Sequence, residues 1–208
     1  MEITIGDTLF TLHPSGAIFW PDQKMVMIAD VHLGKISHFR KFGSAIPQKA
    51  IETNFNRLSE VVSYFNPDKI CFLGDLFHST LNSEWGMFEA WVKNQSSTII
   101  LIKGNHDIIS PSLFSKLGIQ IERELLINQF LLTHHPEKRD TLFNFSGHIH
   151  PGIKIRGTGR QSLSLPCFYR QPNQLTLPAF GAFTGKFLVT PKNGDAIYAI
   201  TEDEVIEI

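Results

Sequence analysis

Four short apolar runs, each passing directly into a cluster of polar residues, constrain this chain more than any other feature. MVMIA (25–29) runs into Asp30-Val31-His32, KICFLG (69–74) into Asp75, TIILI (98–102) into Lys103-Gly104-Asn105-His106-Asp107, and FLLT (130–133) into His134-His135. Runs of this length and β-rich composition read as buried strands. A helix separates the first two: Pro47 suits its first turn, Ile51, Phe55, Leu58, Val62 and Phe65 recur at spacings of three and four, and Asn66-Pro67 ends it. Asn82 or Ser83 can cap a second helix carrying Trp85, Phe88, Ala90, Trp91 and Val92, and Pro111 opens a short third one that Gly118 closes. Strands alternating with helices predict a layered α/β domain. Beyond His150 short apolar runs broken by Gly and Pro, as in LPAFGAFTGKFLV, predict β-hairpins.

In such a sheet the carboxyl ends of neighbouring strands converge on one crevice, so polar residues distant in sequence can meet there. Asp30 and His32, two apart in extended chain, are expected to point to one side and hold the same cation. Asp75 can offer a bridging carboxylate and Asn105 an amide oxygen, while His134, His148 and His150 offer imidazole nitrogens. Mixed oxygen and imidazole ligation suits Mn²⁺, Fe²⁺ or Zn²⁺, and the lack of a thiolate argues against a structural zinc site. Two such cations about 3.5–4 Å apart activate water and clamp a phosphate during in-line attack, which predicts a hydrolase of phosphate esters. His106 is the expected proton donor to the leaving group, and His78, one turn beyond Asp75, a second candidate. His13, His38 and His135 are given no metal, and Asp107 is expected to orient His106 or cap the following turn.

At 208 residues one domain spanning 1–208 is expected, with 42% hydrophobic and 19% charged residues and no apolar run long enough to span a membrane. The first twenty residues lack a basic leader and a continuous apolar stretch, so a cytoplasmic location is expected. Cys71 and Cys167, both in apolar runs, are expected to be buried thiols without a disulfide. A net charge of −1 hides two basic blocks. Residues 31–51 carry Lys35, Arg40, Lys41 and Lys49 and no acid, while residues 138–170 carry Lys138, Arg139, Lys154, Arg156, Arg160 and Arg170 against Asp140 alone. Beside a metal site they suggest a polyanionic ligand. Trp85, Trp91, Phe168, Phe180, Phe183 and Phe187 are expected to pack, with Phe168 and Tyr169 beside Arg170 as an alternative base-stacking platform.

D-x-H at Asp30, GDLFH from Gly74, GNHD from Gly104, the single His134 and GHIH from Gly147 resemble, in order, the motifs of the calcineurin-like metallophosphoesterases. That resemblance implies a four-layer αββα sandwich of two mixed sheets flanked by helices. It also implies that Asp30, His32, Asp75 and His150 hold one metal and Asp75, Asn105, His134 and His148 the other. GDLFH resembles the DNA-repair nucleases of the superfamily, in which the residue at His78 acts with the one at His106. ADVHLGKISHFRKFG, LLTHHP, SGHIHPG, LPCFYR and LPAFGAFTG resemble the small bacterial ligase-associated DNA damage response endonucleases. The implied function is a Mn²⁺-dependent endonuclease on single-stranded or gapped DNA, acting in repair beside an ATP-dependent DNA ligase and a helicase. Only about sixty residues follow His150, too few for a separate DNA-capping domain, so Lys35, Arg40, Lys41, Arg139, Lys154, Arg156, Arg160 and Arg170 are the candidate phosphate contacts. A phosphodiesterase or phosphomonoesterase for small nucleotides, and a non-catalytic scaffold, are the competing readings.

Overall fold

A computed structural model describes residues 1–41, 43, 49–159 and 161–208, the side chains at 38, 41 and 49 apart. The chain builds two mixed sheets, and their membership divides at residues 123–124. The first sheet takes β1 (Glu2–Ile5), β2 (Thr8–Leu12), β3 (Ile18–Trp20), β4 (Met25–Ile28), β5 (Lys69–Phe72), β6 (Thr98–Ile102) and β7 (Gln120–Glu122), ordered as they occur in the chain. Neighbours β1 to β4 are antiparallel and β4 to β7 parallel. The second takes β8 (Leu125–Ile127), β9 (Phe130–Leu132), β10 (Phe143–Ser146), β11 (Pro151–Arg156), β12 (Ser162–Gln171), β13 (Gln174–Thr176), β14 (Phe187–Leu188), β15 (Ala196–Ile200) and β16 (Val205–Glu207). Its order is β14-β11-β12-β13-β10-β9-β8, with β15 and β16 attached through β12, and β9, β10 and β13 run parallel.

Alternation along the strands decides what lies between the layers. Phe10, Trp20, Met25, Met27, Cys71 and Leu73 from the first sheet meet Phe130, Leu132, Phe145, Phe168 and Tyr198 from the second in one inter-sheet core. Phe10 is its hub, with ring centroids 4.9 to 5.2 Å from Phe145, Trp20 and Phe130, so truncating it to Ala costs about 3–5 kcal/mol. Val26, Ile28, Ile70, Phe72, Ile99 and Leu101 face the other way and are covered by the helices.

Helices α1 (Lys35–Lys41), α2 (Lys49–Phe65), α3 (Glu84–Lys93) and α4 (Pro111–Lys116) all send apolar residues into this second core. The expected stripe on α2 is present, with Ile51, Phe55 and Leu58 buried and Val62 and Phe65 packed against them; Pro47 lies outside the described residues. Asn82 caps α3, its Oδ1 accepting from Glu84 N at 2.9 Å. The outer face of the second sheet carries the polar Asn144, whose side chain donates to Leu131 O and Thr133 Oγ1 and accepts from Glu137 N, binding the loop after β9 down onto the strands.

Two expectations give way here. Residues 177–186 form an irregular segment instead of a hairpin, because its backbone bonds to the β4–α1 turn and to α2. Phe183 and Phe187 are 43% and 64% exposed, Phe187 on the edge strand β14, whereas Phe168 and Phe180 are fully buried. Burial removes Phe168 as a stacking surface. Cys71 and Cys167 are both buried and free.

Candidate metal centre

The carboxyl ends of β4, β5 and β6 in one sheet and of β9 and β10 in the other meet along one rim, so Asp30, Asp75, Asn105, His134 and His148 converge although spread over 118 residues. Parallel pairing of β4 with β5 continues past both strand ends. Asp30 N donates to Gly74 O, His32 N to Asp75 O, Leu33 N to Leu76 O and His78 N to Leu33 O, at 2.8 to 3.2 Å. His78 therefore reaches the site along a prolonged ladder and not by a helical turn.

Side chains gather in two groups. In the first, His32 Nε2 lies 3.3 Å from His150 Nε2, which lies 3.3 Å from Asp30 Oδ1. In the second, His134 Nε2 lies 3.0 Å from Asn105 Oδ1 and 3.2 Å from His148 Nδ1. Asp75 stands between them, Oδ1 3.4 Å from His134 Nε2 and Oδ2 4.0 Å from His32 Nε2. One carboxylate thus faces both groups.

Backbone conformation here departs from the extended chain expected from spacing. Asp30, His32, Asp75, His148 and His150 have φ of 50 to 69°, five of the nine non-glycine residues with positive φ among those described. Such conformations cost of order 1–3 kcal/mol each and persist only where surroundings impose them. The surroundings are close-packed glycines and buried hydrogen bonds. A Cβ on Gly74 would collide with the His134 ring, one on Gly104 with Asp75, and one on Gly147 would lie 2.5 Å from Asp30 Oδ2. His148 N donates to Asp30 Oδ2 and His106 N to Asp75 Oδ1, both at 2.8 Å.

The donor set fits cations. Among the described residues, fully buried Asp30 keeps Oδ1 without any hydrogen-bond donor. His134 Nδ1–H donates to Leu73 O at 2.9 Å, which leaves Nε2 as a bare lone pair aimed at the oxygens of Asn105 and Asp75. Burial pushes the His134 imidazole down to about 4; burial, then His150 and Lys35, push that of His32 down to about 2, and His148 is also lowered, chiefly by burial. A bare imidazole lone pair facing carboxylate and amide oxygens is repelled by them until a positive ion enters.

Around this set, His78 and His106 stack at 5.2 Å with 19° between their planes, each edge-on to His32 at 5.5 Å. Asp107 bonds to the backbone of both loops. Its carboxylate accepts from Phe77 N at 3.1 Å and Gly104 N at 2.9 Å, tying together the loops that carry His78 and His106, and burial raises it to about 6.

Sequence reasoning missed three residues. His135, left without a role, has its ring 4.1 Å from that of His148 and groups with His134 and His148 as a further set able to hold a cation. Glu84, buried at the start of α3, accepts from Gly34 N, Ser37 N and Ser37 Oγ and so fixes the turn after His32. Gly181 N donates to Asp30 O from the irregular segment. His13 lies elsewhere, bonded to Ser15 and packed on Tyr64 and Phe65.

The basic candidates scatter. Lys35 follows the His32 turn and is near enough to disfavour protonation of that imidazole. Arg40, Lys154 and Arg156 are exposed. Arg139 is held by Glu124 and Glu137, at 2.9 and 2.7 Å. Arg170 lines a hollow with Gly6, Gln129 and Phe143 at the amino ends of β9 and β10, the far side from the metal centre. Arg160 and the Lys41 side chain lie outside the described residues.

Comparison with known proteins agrees with this geometry. The chain aligns over its whole length with a nuclease of Pseudomonas putida, MPE, at 28% identity and a TM-score of 0.83, covering 99% of that chain. A protein of unknown function from Aquifex aeolicus (18% identity, 61% of this chain, 78% of that one, TM-score 0.44) and the phosphoesterase Yfce of E. coli (14%, 88% and 97%, 0.47) are more distant. No curated protein sequence matches the chain. The family model for calcineurin-like phosphoesterases matches residues 24–162, from the start of β4 past the last candidate ligand. The chain therefore belongs to the calcineurin-like phosphoesterase family, metal-dependent hydrolases of phosphate esters.

Proposed function

We propose that this protein is a dinuclear phosphodiesterase that cleaves DNA endonucleolytically in repair, beside an ATP-dependent DNA ligase and a helicase, in the cytoplasm, as one domain over residues 1–208. Asp30, His32, Asp75 and His150 hold one cation and Asp75, Asn105, His134 and His148 the other, both Mn²⁺, with Fe²⁺ or Zn²⁺ as substitutes. The observation that carries the reading is the pair of facing acceptor groups on either side of Asp75, Asp30 Oδ1 being buried without a donor. The DNA part draws on likeness to the nuclease of Pseudomonas putida over the full chain.

Two bound cations supply an activated water and neutralise charge on the phosphate. The remaining work falls to side chains. His106, fixed by its own N–H on Asp75 and stacked on His78, delivers the proton that the leaving alkoxide needs. His78, stacked on His106, acts with it on the phosphate. Lys35, Arg40, Lys154 and Arg156 carry the polyanion past the site; Arg139, already paired, and Arg170, on the far side, do not.

The test is hydrolysis of bis-(p-nitrophenyl) phosphate and of a labelled single-stranded oligonucleotide, with Mn²⁺ and with chelator, for the native chain and His106→Ala. Cleavage of both substrates, lost with chelator and reduced about 10²–10⁴-fold in the variant, is expected. Cleavage of the small ester alone refutes the DNA substrate; no turnover of either with Mn²⁺ refutes the enzyme mechanism.

A further inference from the structure

Residues 178–184 are neither strand nor helix, yet they lie against the most strained part of the metal centre. Phe180 N donates to Ala29 O at 2.9 Å and Gly181 N to Asp30 O at 3.1 Å, the carbonyls on either side of the left-handed Asp30. Contact is so close that a Cβ on Gly181 would collide with the Val31 carbonyl. The strap therefore bears on the three-residue bend whose φ values of 55° at Asp30 and 51° at His32 aim both side chains at His150.

Two polar side chains of α2 hold the strap from behind, where this helix otherwise buries Ile51, Phe55 and Leu58. Asn54 is 4% exposed, and its Oδ1 accepts from Ala182 N at 3.0 Å. Arg57 donates Nη1 to Phe180 O at 2.8 Å and Nη2 to Ser15 O at 2.9 Å, with its guanidinium 4.7 Å over the Phe180 ring. Burying a guanidinium is costly, and Arg57 is desolvated enough to lower its pKa. A leucine there would pack α2 as well but could not grip a backbone.

We infer that Arg57 and Asn54 are positioning residues for the first cation, acting through the strap on the Asp30-Val31-His32 bend. The inference rests on the proposed assignment of Asp30 and His32 to that cation. Without the clamp the bend relaxes toward ordinary backbone and the first group loosens. The second group keeps its own tethers, His134 on Leu73 O and Gly147 N on His134 O.

Mn²⁺ titration calorimetry on the metal-stripped full chain, with thermal melts, separates the cases. The native chain is expected to bind two Mn²⁺, and Asp30→Asn to lose one class, which defines the first site. Arg57→Met and Asn54→Ala are expected to melt cooperatively and weaken that class by roughly 10- to 100-fold, the cost of losing an outer-shell support, leaving the other within about threefold. Methylguanidinium is expected to restore the first class in Arg57→Ala. Equal weakening of both classes, or of neither, overturns the clamp. Two undiminished classes in Asp30→Asn instead overturn the ligand assignment. Should the Arg57 variants fail to fold, Asn54→Ala decides together with hydrogen exchange of the native chain: Mn²⁺ is expected to slow the amides of residues 179–184, and unchanged exchange refutes the inference.

Discussion

Replacing Gly147 by Ala isolates what close approach contributes to the metal centre, because Gly147 has no positive φ and a methyl there adds only volume. That methyl would lie 2.5 Å from Asp30 Oδ2 and 2.7 Å from Ala29 Cβ, against about 3.4 Å for an ordinary contact, so the β10 and β4 ends must part by about 0.9 Å. Neither neighbour is a flexible side-chain end: Ala29 is core, and Asp30 Oδ2 is held by His148 N. Overpacking of this kind costs about 1–3 kcal/mol, which for a chain of this size lowers Tm by roughly 2–12 °C. The geometric effect is larger in consequence. A displacement near 1 Å exceeds the roughly 0.5 Å within which a site functions and lowers turnover about 100-fold. The control is Gly86→Ala in α3, where the methyl meets open space and a gain of up to about 1 kcal/mol is expected. The assays are thermal melts and bis-(p-nitrophenyl) phosphate hydrolysis at saturating Mn²⁺. Native turnover and melting in Gly147→Ala would refute the packing argument, and so would loss of turnover accompanied by an equal loss in Gly86→Ala.

Further outcomes follow from other contacts. Metal-free protein is expected to lose about 3 kcal/mol of stability through His134 alone as pH falls from 6.5 to about 4, because the unfolded imidazole takes up a proton that the buried one refuses; denaturant melts flat across that window contradict it. Asp107→Asn puts an amide N–H against Phe77 N or Gly104 N and is expected to cost about 1–3 kcal/mol, with the destabilisation larger below pH 6, where the native carboxyl is protonated and no longer strained by burial; equal melts at pH 5 and 8 count against it. Lys154→Glu with Arg156→Glu is expected to weaken oligonucleotide binding and flatten its salt dependence by about two units of slope while sparing the small ester, whereas Arg170→Glu leaves DNA binding intact; the reverse ranking would place the DNA path on the other side of the molecule.

Periodicity made the scaffold around the site legible. The stripe Ile51–Phe55–Leu58 on α2 and the runs before Asp30, Asp75 and Asn105 carry their own signal, since burial on both faces demands continuous apolar residues. The β1–β2 hairpin also has one, in the alternation of Ile3, Ile5, Phe10 and Leu12 about Gly6. Helix α1 has none: its first amides are satisfied by Glu84, 47 residues away from Ser37, so the cap belongs to another element. Spacing of two at Asp30/His32 and at His148/His150 looks like strand, and only the glycine contacts and the prolonged ladder turn those residues left-handed. Arg139 and Arg170 show the limit for charge, because a basic block in sequence says nothing of which acids or which end of a sheet its members meet.

The division of the sheets at residues 123–124 ties the proposed cation sites to the docking of two parts of the chain. Asp30, His32, Asp75 and Asn105 come from the first half of the chain and His134, His148 and His150 from the second, so each of the two proposed cation sites draws on both halves. Each cluster becomes whole only when the two sheets close over Phe10, Trp20, Phe130 and Phe145. On that assignment a bound cation is a tie between the two sheets, and its loss is felt at their interface.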